Sequence, residues 1–311
     1  MRVLGIDIGG TSIKGAIVYN TGKVGETFSL PIDKSLNQEQ QINALINKIK
    51  ETYKDDEFDG IGMGIPGSID PDKKIVSYSN NLKWENLDIG NIFKNAFPNK
   101  RVRIGNDANV AALGEATFGS AKNERNVVMI TLGTGVGSGI IIDGNLYVGE
   151  HGRGAELGHH VLKMDGIECT CGRKGCFEMY ASATALIRQA KEAIEKNPNS
   201  KLALYAKEGK EVNGKLIFET CKEGCTTAEE VINQYVKYLS EGLLNICNIF
   251  RPSSIVLSGG IANQGSFLID KVVAYMEKEH YGYLPQTKVQ IKVASLGYNS
   301  GIIGAACLLL R

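Results

Sequence analysis

The sequence predicts an α/β protein of two related halves. Strand-forming runs alternate with helical periodicities along the chain, and one Gly-rich strand–turn–strand unit is echoed by a second. Gly5-Ile6-Asp7-Ile8-Gly9-Gly10-Thr11 near the N-terminus returns as Thr131-Leu132-Gly133-Thr134-Gly135. Length agrees: 311 residues make about two domains at ~150 residues each.

The elements follow in order. Arg2 to Ile8 and Ile13 to Tyr19 read as strands around a Gly9-Gly10-Thr11-Ser12 turn, a hairpin signature. Ile42, Leu45, Ile46 and Ile49 fall at helical spacing within 38–53. Asp59 to Gly64 and Arg101 to Ile104 read as strands. Ala108 to Phe118 reads as an Ala-rich helix, with Asn106 or Asp107 as its cap. The pattern then restarts with strands at Asn126–Leu132 and Ser138–Ile142. A Cys/His/Gly-rich segment spans 149–178, a single helix is expected from Glu178 to about Lys196, and short helices with a loop over 197–225. Glu229 to Phe250 reads as a long helix, Ser254 to Leu257 as a strand, Phe267 to Glu277 as a helix, Val289 to Val293 as the last strand and Ser300 to Leu310 as the last helix.

Composition excludes several classes. Lys plus Arg is 35 and Asp plus Glu is 34, a net charge of +1, so no global field draws nucleic acid or an anionic membrane. The N-terminus lacks the apolar region of a signal peptide, and the apolar stretch after Gly301 is too short to span a bilayer. Seven cysteines, an odd count without an export signal, point to reduced thiols and a cytoplasmic protein. Glycine is enriched, with 37 residues against a usual ~7%. Its clusters mark places where the backbone turns tightly or approaches a ligand.

The strongest chemical signal is Cys169-x-Cys171-x4-Cys176 with His159 upstream. Three thiolates and an imidazole make a closed tetrahedral set of the structural zinc type, with no position left for a catalytic water. His160 is an alternative fourth ligand that spacing alone does not separate from His159. Cys221 and Cys225 have no further ligands near them in sequence and read as ordinary thiols. The second signal is Asp7-Ile8-Gly9-Gly10-Thr11, whose backbone N–H groups suit phosphate oxygens and whose Asp7 could hold Mg2+ through water. The Gly133-Thr134-Gly135 turn suits the same phosphates. The third is Asn106-Asp107 between a strand and a helix, at the strand end where open α/β sheets place ligands. An ionised aspartate there, favoured by the helix N-terminus, can act as general base. Glu156, His159 and Glu178 frame the cysteine segment, and carboxylates with an asparagine suit sugar hydroxyls.

Two motifs are set aside. Gly62-x-Gly64-x-x-Gly67 matches a dinucleotide fingerprint, but Pro66 and the residues after it do not open a helix. Gly209-x4-Gly214-Lys215 mimics a P-loop but continues with Leu216 where Ser or Thr is required.

Taken together, these motifs resemble the ROK family of sugar kinases and repressors, in the actin-like and hexokinase-like ATPase superfamily, over nearly the whole chain. The likeness rests on Asp7 to Thr11, Asn106-Asp107-Ala108-Asn109, Gly133-Thr134-Gly135, Glu156-x-Gly158-His159, the Cys169 to Glu178 run and Ser258-Gly259-Gly260. The stretch Asn80-Asn81-Leu82-x-Trp84 looks most like the glucokinase branch.

The resemblance implies a two-lobed ribonuclease H-like fold. Residues 1–118 would form the small lobe, with the helix at about 300–311 packed back on it. Residues 119–299 would form a larger lobe carrying the zinc knuckle and a dimer surface. It implies Asp107 as general base, and Gly67, Asn81, Asn106, Asp107, Glu156, His159 and Glu178 at the sugar. Zinc would sit on His159, Cys169, Cys171 and Cys176. Asp7, Gly9, Gly10, Thr11, Lys14, Gly133, Thr134 and Gly135 would line the phosphates of MgATP, and Gly259 and Gly260 the adenosine. The implied activity is phosphorylation of a hexose, glucose first, with N-acetylmannosamine, allose, fructose and mannose as runners-up, in a homodimer or homotetramer. A sugar-sensing repressor is the rival reading; with the first hairpin beginning at Arg2, no DNA-binding segment is expected ahead of it.

Overall fold

The structure is a computed structural model and describes residues 1–310 other than 55, 56, 280 and 282–286. Arg311, the last residue of the expected final helix, lies outside the described residues. The chain divides into two units. Unit 1 is Met1–Met129, Gly139–Ala155 and Ser295–Arg311; unit 2 is Ile130–Ser138 and Glu156–Ala294.

Unit 1 opens with β1 (Arg2–Ile8), β2 (Ser12–Tyr19) and β3 (Val24–Pro31), followed by α1 (Gln38–Thr52) and β4 (Gly60–Ile65). Three short strands come next, β5 (Ser68–Asp70), β6 (Ile75–Ser79) and β7 (Trp84–Leu87), then α2 (Ile89–Ala96), β8 (Arg101–Asn106) and α3 (Asp107–Phe118). The main sheet runs β3-β2-β1-β4-β8, and β5-β6-β7 form a small sheet of their own. The β1–β2 hairpin is antiparallel, whereas β1–β4 and β4–β8 are parallel.

Local chemistry accounts for these elements. Asn37 and Gln40 form a reciprocal capping box at the start of α1, and the helix buries Ile42, Leu45, Ile46 and Ile49, the four positions its spacing marks. Every residue of β4 is buried, as a strand covered on both faces requires. Trp84 is fully buried, and its indole N–H donates to Gln41 Oε1 at 2.9 Å, which satisfies the one polar group it carries inside. The small sheet has no counterpart in the sequence reading. Its strands are three to five residues long, too short for alternation to register.

The second sheet runs β11-β10-β9-β12-β13. It contains β9 (Val127–Leu132), β10 (Val136–Ile142) and β11 (Asn145–Tyr147). Unit 2 continues with α4 (Glu178–Ala181), α5 (Ala183–Lys196), α6 (Lys201–Lys207), α7 (Gly214–Lys222), α8 (Thr226–Phe250), β12 (Ser254–Ser258), α9 (Ser266–Glu279) and β13 (Gln290–Val293). The single helix expected from Glu178 to Lys196 is in fact two. Ser182 sits between them in an extended conformation (φ −76°, ψ 166°), and its side chain accepts from Ala185 N–H to cap α5. The break frees Ala183 N–H to donate to the Gly133 carbonyl at 2.8 Å.

The chain ends in unit 1 with α10 (Ser300–Leu310). Residues 302–307 and Leu309 are all buried, the mark of an interior helix. It packs on β1, β4 and α3. A Cβ at Gly5 would collide with the Ile302 carbonyl, and one at Gly62 with the Ala305 carbonyl. These two glycines therefore admit a helix rather than a ligand. Gly67 is followed by β5, not by a helix, so the dinucleotide fingerprint fails in structure as well. Among the described residues, no helix is long and apolar enough to cross a membrane.

Candidate active site

In unit 1 the parallel strands set the geometry. Asp7 on β1 stands beside Gly64 on β4, and Gly64 beside Gly105 on β8. Two strand spacings, about 10 Å, thus separate Asp7 from Gly105, with Asn106 and Asp107 directly after it at the same carboxyl end of the sheet. Asn106 ends β8 in an extended conformation (φ −64°, ψ 146°) and caps α3, its Oδ1 accepting from Ala108 N–H at 2.9 Å and Asn109 N–H at 3.2 Å. Of the two caps the sequence allowed, the structure uses Asn106. The Nδ2 of Asn106 donates to the Gly67 carbonyl at 3.1 Å. Gly67 has φ of 118°, a conformation that an L side chain rarely adopts.

Asp107 begins α3 and accepts from Ala108 N–H at 2.9 Å. By area it is exposed, yet the protein packed around its carboxyl pushes the pKa above the usual carboxylate value, against the lowering pull of that hydrogen bond. A group with both properties is wet on one side and short of water on the others. Burial raises Asp7 as well; the negative charge of Asp107 adds to the rise, and Lys14 opposes it. Lys14 is the partner of Asp7 in the β1–β2 register. Gly9 N–H donates to the Ser12 carbonyl at 2.9 Å and closes the turn. Thr11 and Gly10 line a cavity of about 660 Å³ together with Asn80, Asn81, Gln41 and Lys34, which brings Asn81 next to the turn.

Unit 2 holds the cysteine segment. His159 lies in a short turn, Leu157–His159. Backbone bridges Val161–Cys176 and Glu168–Lys174 fold the segment on itself, and Cys169 N–H donates to the Arg173 carbonyl at 2.8 Å. The ligand atoms of His159, Cys169, Cys171 and Cys176 all lie within 4.8 Å of one another. His159 Nδ1 is 3.7 Å from Cys169 Sγ, and Cys171 Sγ is 3.6 Å from Cys176 Sγ. Tetrahedral ligation at ~2.3 Å sets sulfurs about 3.8 Å apart, so the cluster fits a metal ion of that kind. Burial pushes the Cys176 thiol up to about 12, with the neighbouring thiols adding to the rise; a bound cation reverses that penalty. His160 is outside the cluster. Its Nδ1 lies 2.6 Å from the Leu157 carbonyl and its ring stacks on Phe177.

Glu178 follows the last cysteine. Its Oε2 accepts from Val136 N–H at 2.9 Å, and its Oε1 is 3.9 Å from Cys169 Sγ. The Gly133-Thr134-Gly135 turn is held from α5, since Ala183 N–H donates to the Gly133 carbonyl and Thr184 Oγ1 to the Thr134 carbonyl, both at 2.8 Å. Glu156 offers its carbonyl to His159 N–H at 3.0 Å. Gly259 follows β12 with φ of 93° and lies against the Leu132 carbonyl at the end of β9, with Gly260 next to it. Within unit 2, then, the glycine turn, Glu178, His159 and the cysteines are one connected group; within unit 1, Asp7, Gly67, Asn106 and Asp107 share one sheet end. Sequence reasoning passed over Glu115 and Tyr298. The available signals were a glutamate inside the apolar run 110–116 and an aromatic residue just before the last helix.

The family model described as the ROK family matches residues 3–311. The chain is 32% identical to the glucokinase of Streptomyces coelicolor over 308 residues, covering 98% of this chain and 96% of that protein. It is 29% identical to the xylose repressor of Bacillus subtilis, over 99% of this chain and 76% of the repressor. Among solved structures, a ROK family glucokinase from Streptomyces griseus in complex with glucose and AMPPNP matches with a TM-score of 0.81 at 30% identity, covering 99% of both chains. On a family match over almost its whole length, this chain belongs to the ROK family.

Proposed function

We propose that the protein is an ATP-dependent hexose kinase that transfers the γ-phosphate of ATP to the 6-hydroxyl of glucose. One observation carries the reading: a carboxylate of raised pKa at the carboxyl end of a parallel strand, Asp107, beside a capping asparagine that reaches the Gly67 carbonyl. The Streptomyces griseus relative, held with glucose and AMPPNP, supports the choice of substrates.

Asp107 takes the proton of the 6-hydroxyl as that oxygen forms its bond to the γ-phosphorus and ADP departs. Phosphoryl transfer asks mainly for positioning and charge stabilisation, and the residues divide accordingly. Gly67, Asn81, Asn106, Glu156, His159 and Glu178 bind sugar hydroxyls. With Nδ1 of His159 turned to the thiols, its Nε2 serves a hydroxyl. Gly9, Gly10, Thr11, Lys14, Gly133, Thr134 and Gly135 hold the phosphates, and Gly259 and Gly260 the adenosine. Asp7 would hold Mg2+ through water; bound Mg2+ neutralises charge on the phosphates. His159, Cys169, Cys171 and Cys176 would hold zinc, which fixes the segment that carries Glu178. The protein works in the cytoplasm as a homodimer, or as a homotetramer.

The test is a coupled assay of ADP formation over a panel of hexoses and donors. Glucose with ATP is expected to give the highest kcat/KM. Preference for N-acetylmannosamine, allose, fructose or mannose would change the substrate and keep the class. The xylose repressor relatives favour a second reading, a sugar-sensing regulator; sugar binding without ADP formation, together with sugar-dependent DNA binding, would establish it instead.

A further inference from the structure

Glu115 is a glutamate with no exposed surface, on the last turn of α3. Its carboxylate is surrounded by donors. Oε1 accepts from Ser295 N–H at 3.0 Å and Leu296 N–H at 2.9 Å. Oε2 accepts from Ser120 N–H at 2.8 Å and its hydroxyl at 3.1 Å, and from Ser295 N–H at 3.1 Å and its hydroxyl at 3.4 Å. Successive backbone N–H groups around an oxyanion form a nest; here the anion is the protein's own. The carboxylate folds back over the C-cap of α3, where a Cβ at Gly119 would collide with it.

The segment held this way leads straight to two residues of the phosphate end of the site. After Leu296 comes the turn Gly297–Asn299 and then α10. Tyr298 in that turn is 93% exposed, and its ring centroid lies 5.9 Å from Lys14 Nζ. Gly301, in the first turn of α10, lies so close to Asp7 that a Cβ there would collide with the carboxylate. Asp7 and Lys14 are cross-strand partners. One short segment therefore touches both, and Glu115 fixes where that segment starts.

We propose that Glu115 is a positioning residue for the Mg2+ and phosphate end of the site. By anchoring Ser295 and Leu296, it sets α10 against Asp7 and Tyr298 against Lys14. The inference rests on the kinase reading above, in which Asp7 and Lys14 serve MgATP. A carboxylate is required because every neighbour donates. An amide would aim its own N–H groups at donors, and an alanine would leave buried N–H groups unmade.

The test compares wild type with Glu115→Gln on three readings: calorimetric binding of MgAMPPNP, calorimetric binding of glucose, and amide hydrogen exchange over 293–303. The variant is expected to exchange faster over 293–303, to bind MgAMPPNP about tenfold more weakly, the lower range for loss of a buried hydrogen bond to a charged group, and to need more Mg2+ for half-maximal turnover. Its glucose affinity should stay within about twofold. Faster exchange with wild-type MgAMPPNP affinity and wild-type Mg2+ requirement would reduce Glu115 to a stabilising role and overturn the proposal. Should Glu115→Gln fail to fold, Glu115→Asp, which keeps the charge but withdraws it by one methylene, is read against the same outcomes. Failure of the kinase reading would appear in the wild type itself, as no MgAMPPNP binding and no hexose phosphorylation, and would overturn both.

Discussion

The Glu178 carboxylate ties a glycine turn to a cysteine cluster: one oxygen accepts from Val136 N–H at 2.9 Å and the other lies 3.9 Å from Cys169 Sγ. Glu178 stands two residues after Cys176 and its side chain reaches back to Cys169, so the cysteine segment bears on it in chemistry as well as in sequence. The fold of the knuckle decides where the carboxylate points, and the carboxylate in turn holds the backbone just after Gly135.

Glu178→Ala is expected to orphan the Val136 N–H, costing about 1–3 kcal/mol of stability, the penalty for an unmade buried hydrogen bond. Glucose affinity should fall at the same time. Glu178→Gln keeps an acceptor for Val136 and should retain most of the stability while still weakening glucose binding. Urea unfolding and glucose calorimetry on the two variants check this. Wild-type stability in the alanine variant would contradict it.

Metal removal should act locally. Purified protein is expected to contain one zinc per chain. Chelation should raise hydrogen exchange over 149–178 and abolish glucose affinity, while the core around β1, β4 and α10 stays folded. The loss of stability should fall well below the ~10–16 kcal/mol of zinc-finger peptides, because most of this core is built without the metal. Active protein that metal analysis finds free of zinc would contradict this account.

The same clusters show how much the sequence disclosed. The Cys3His cluster was legible because thiolates and imidazole at that spacing have few other uses; spacing alone left His159 and His160 open, the family resemblance chose His159, and in the structure His160 lies outside the cluster with its ring stacked on Phe177. Helix α10 was legible to its first residue because an apolar run ends the chain behind a polar turn. The break at Ser182 was not, since serine favours caps but is also found inside helices, and the contacts that mark the break, Ala185 N–H to the Ser182 hydroxyl and Ala183 N–H to the Gly133 carbonyl, appear only in the structure. The glycine clusters were read only as places of tight turn or close approach, and at Gly5 and Gly62 the close approach is that of α10. Glu115 was hidden because its partners, Ser295 and Leu296, lie about 180 residues away.

The raised carboxyl pKa of Asp107 has a consequence for stability. The folded chain holds this proton more tightly than the unfolded chain, whose value is near 3.8. The stabilising contribution is complete below that value and is lost as pH rises through the raised folded value. At neutral pH the ionised carboxylate therefore costs stability. Asp107→Asn should melt at a higher temperature than wild type at neutral pH, and the difference should shrink as the pH is lowered through the raised value. Thermal unfolding of both proteins across that range checks it; an Asp107→Asn Tm at or below wild type at neutral pH would contradict it.

The most direct test of the central claim, that Asp107 is the base for a glucose hydroxyl, is turnover and glucose affinity measured together on Asp107→Asn. The expected result is a turnover lower by about 10²–10⁴, the range for a general base, with glucose affinity close to that of wild type. Turnover near the wild-type value would show that the proton goes elsewhere and would remove Asp107 from the mechanism.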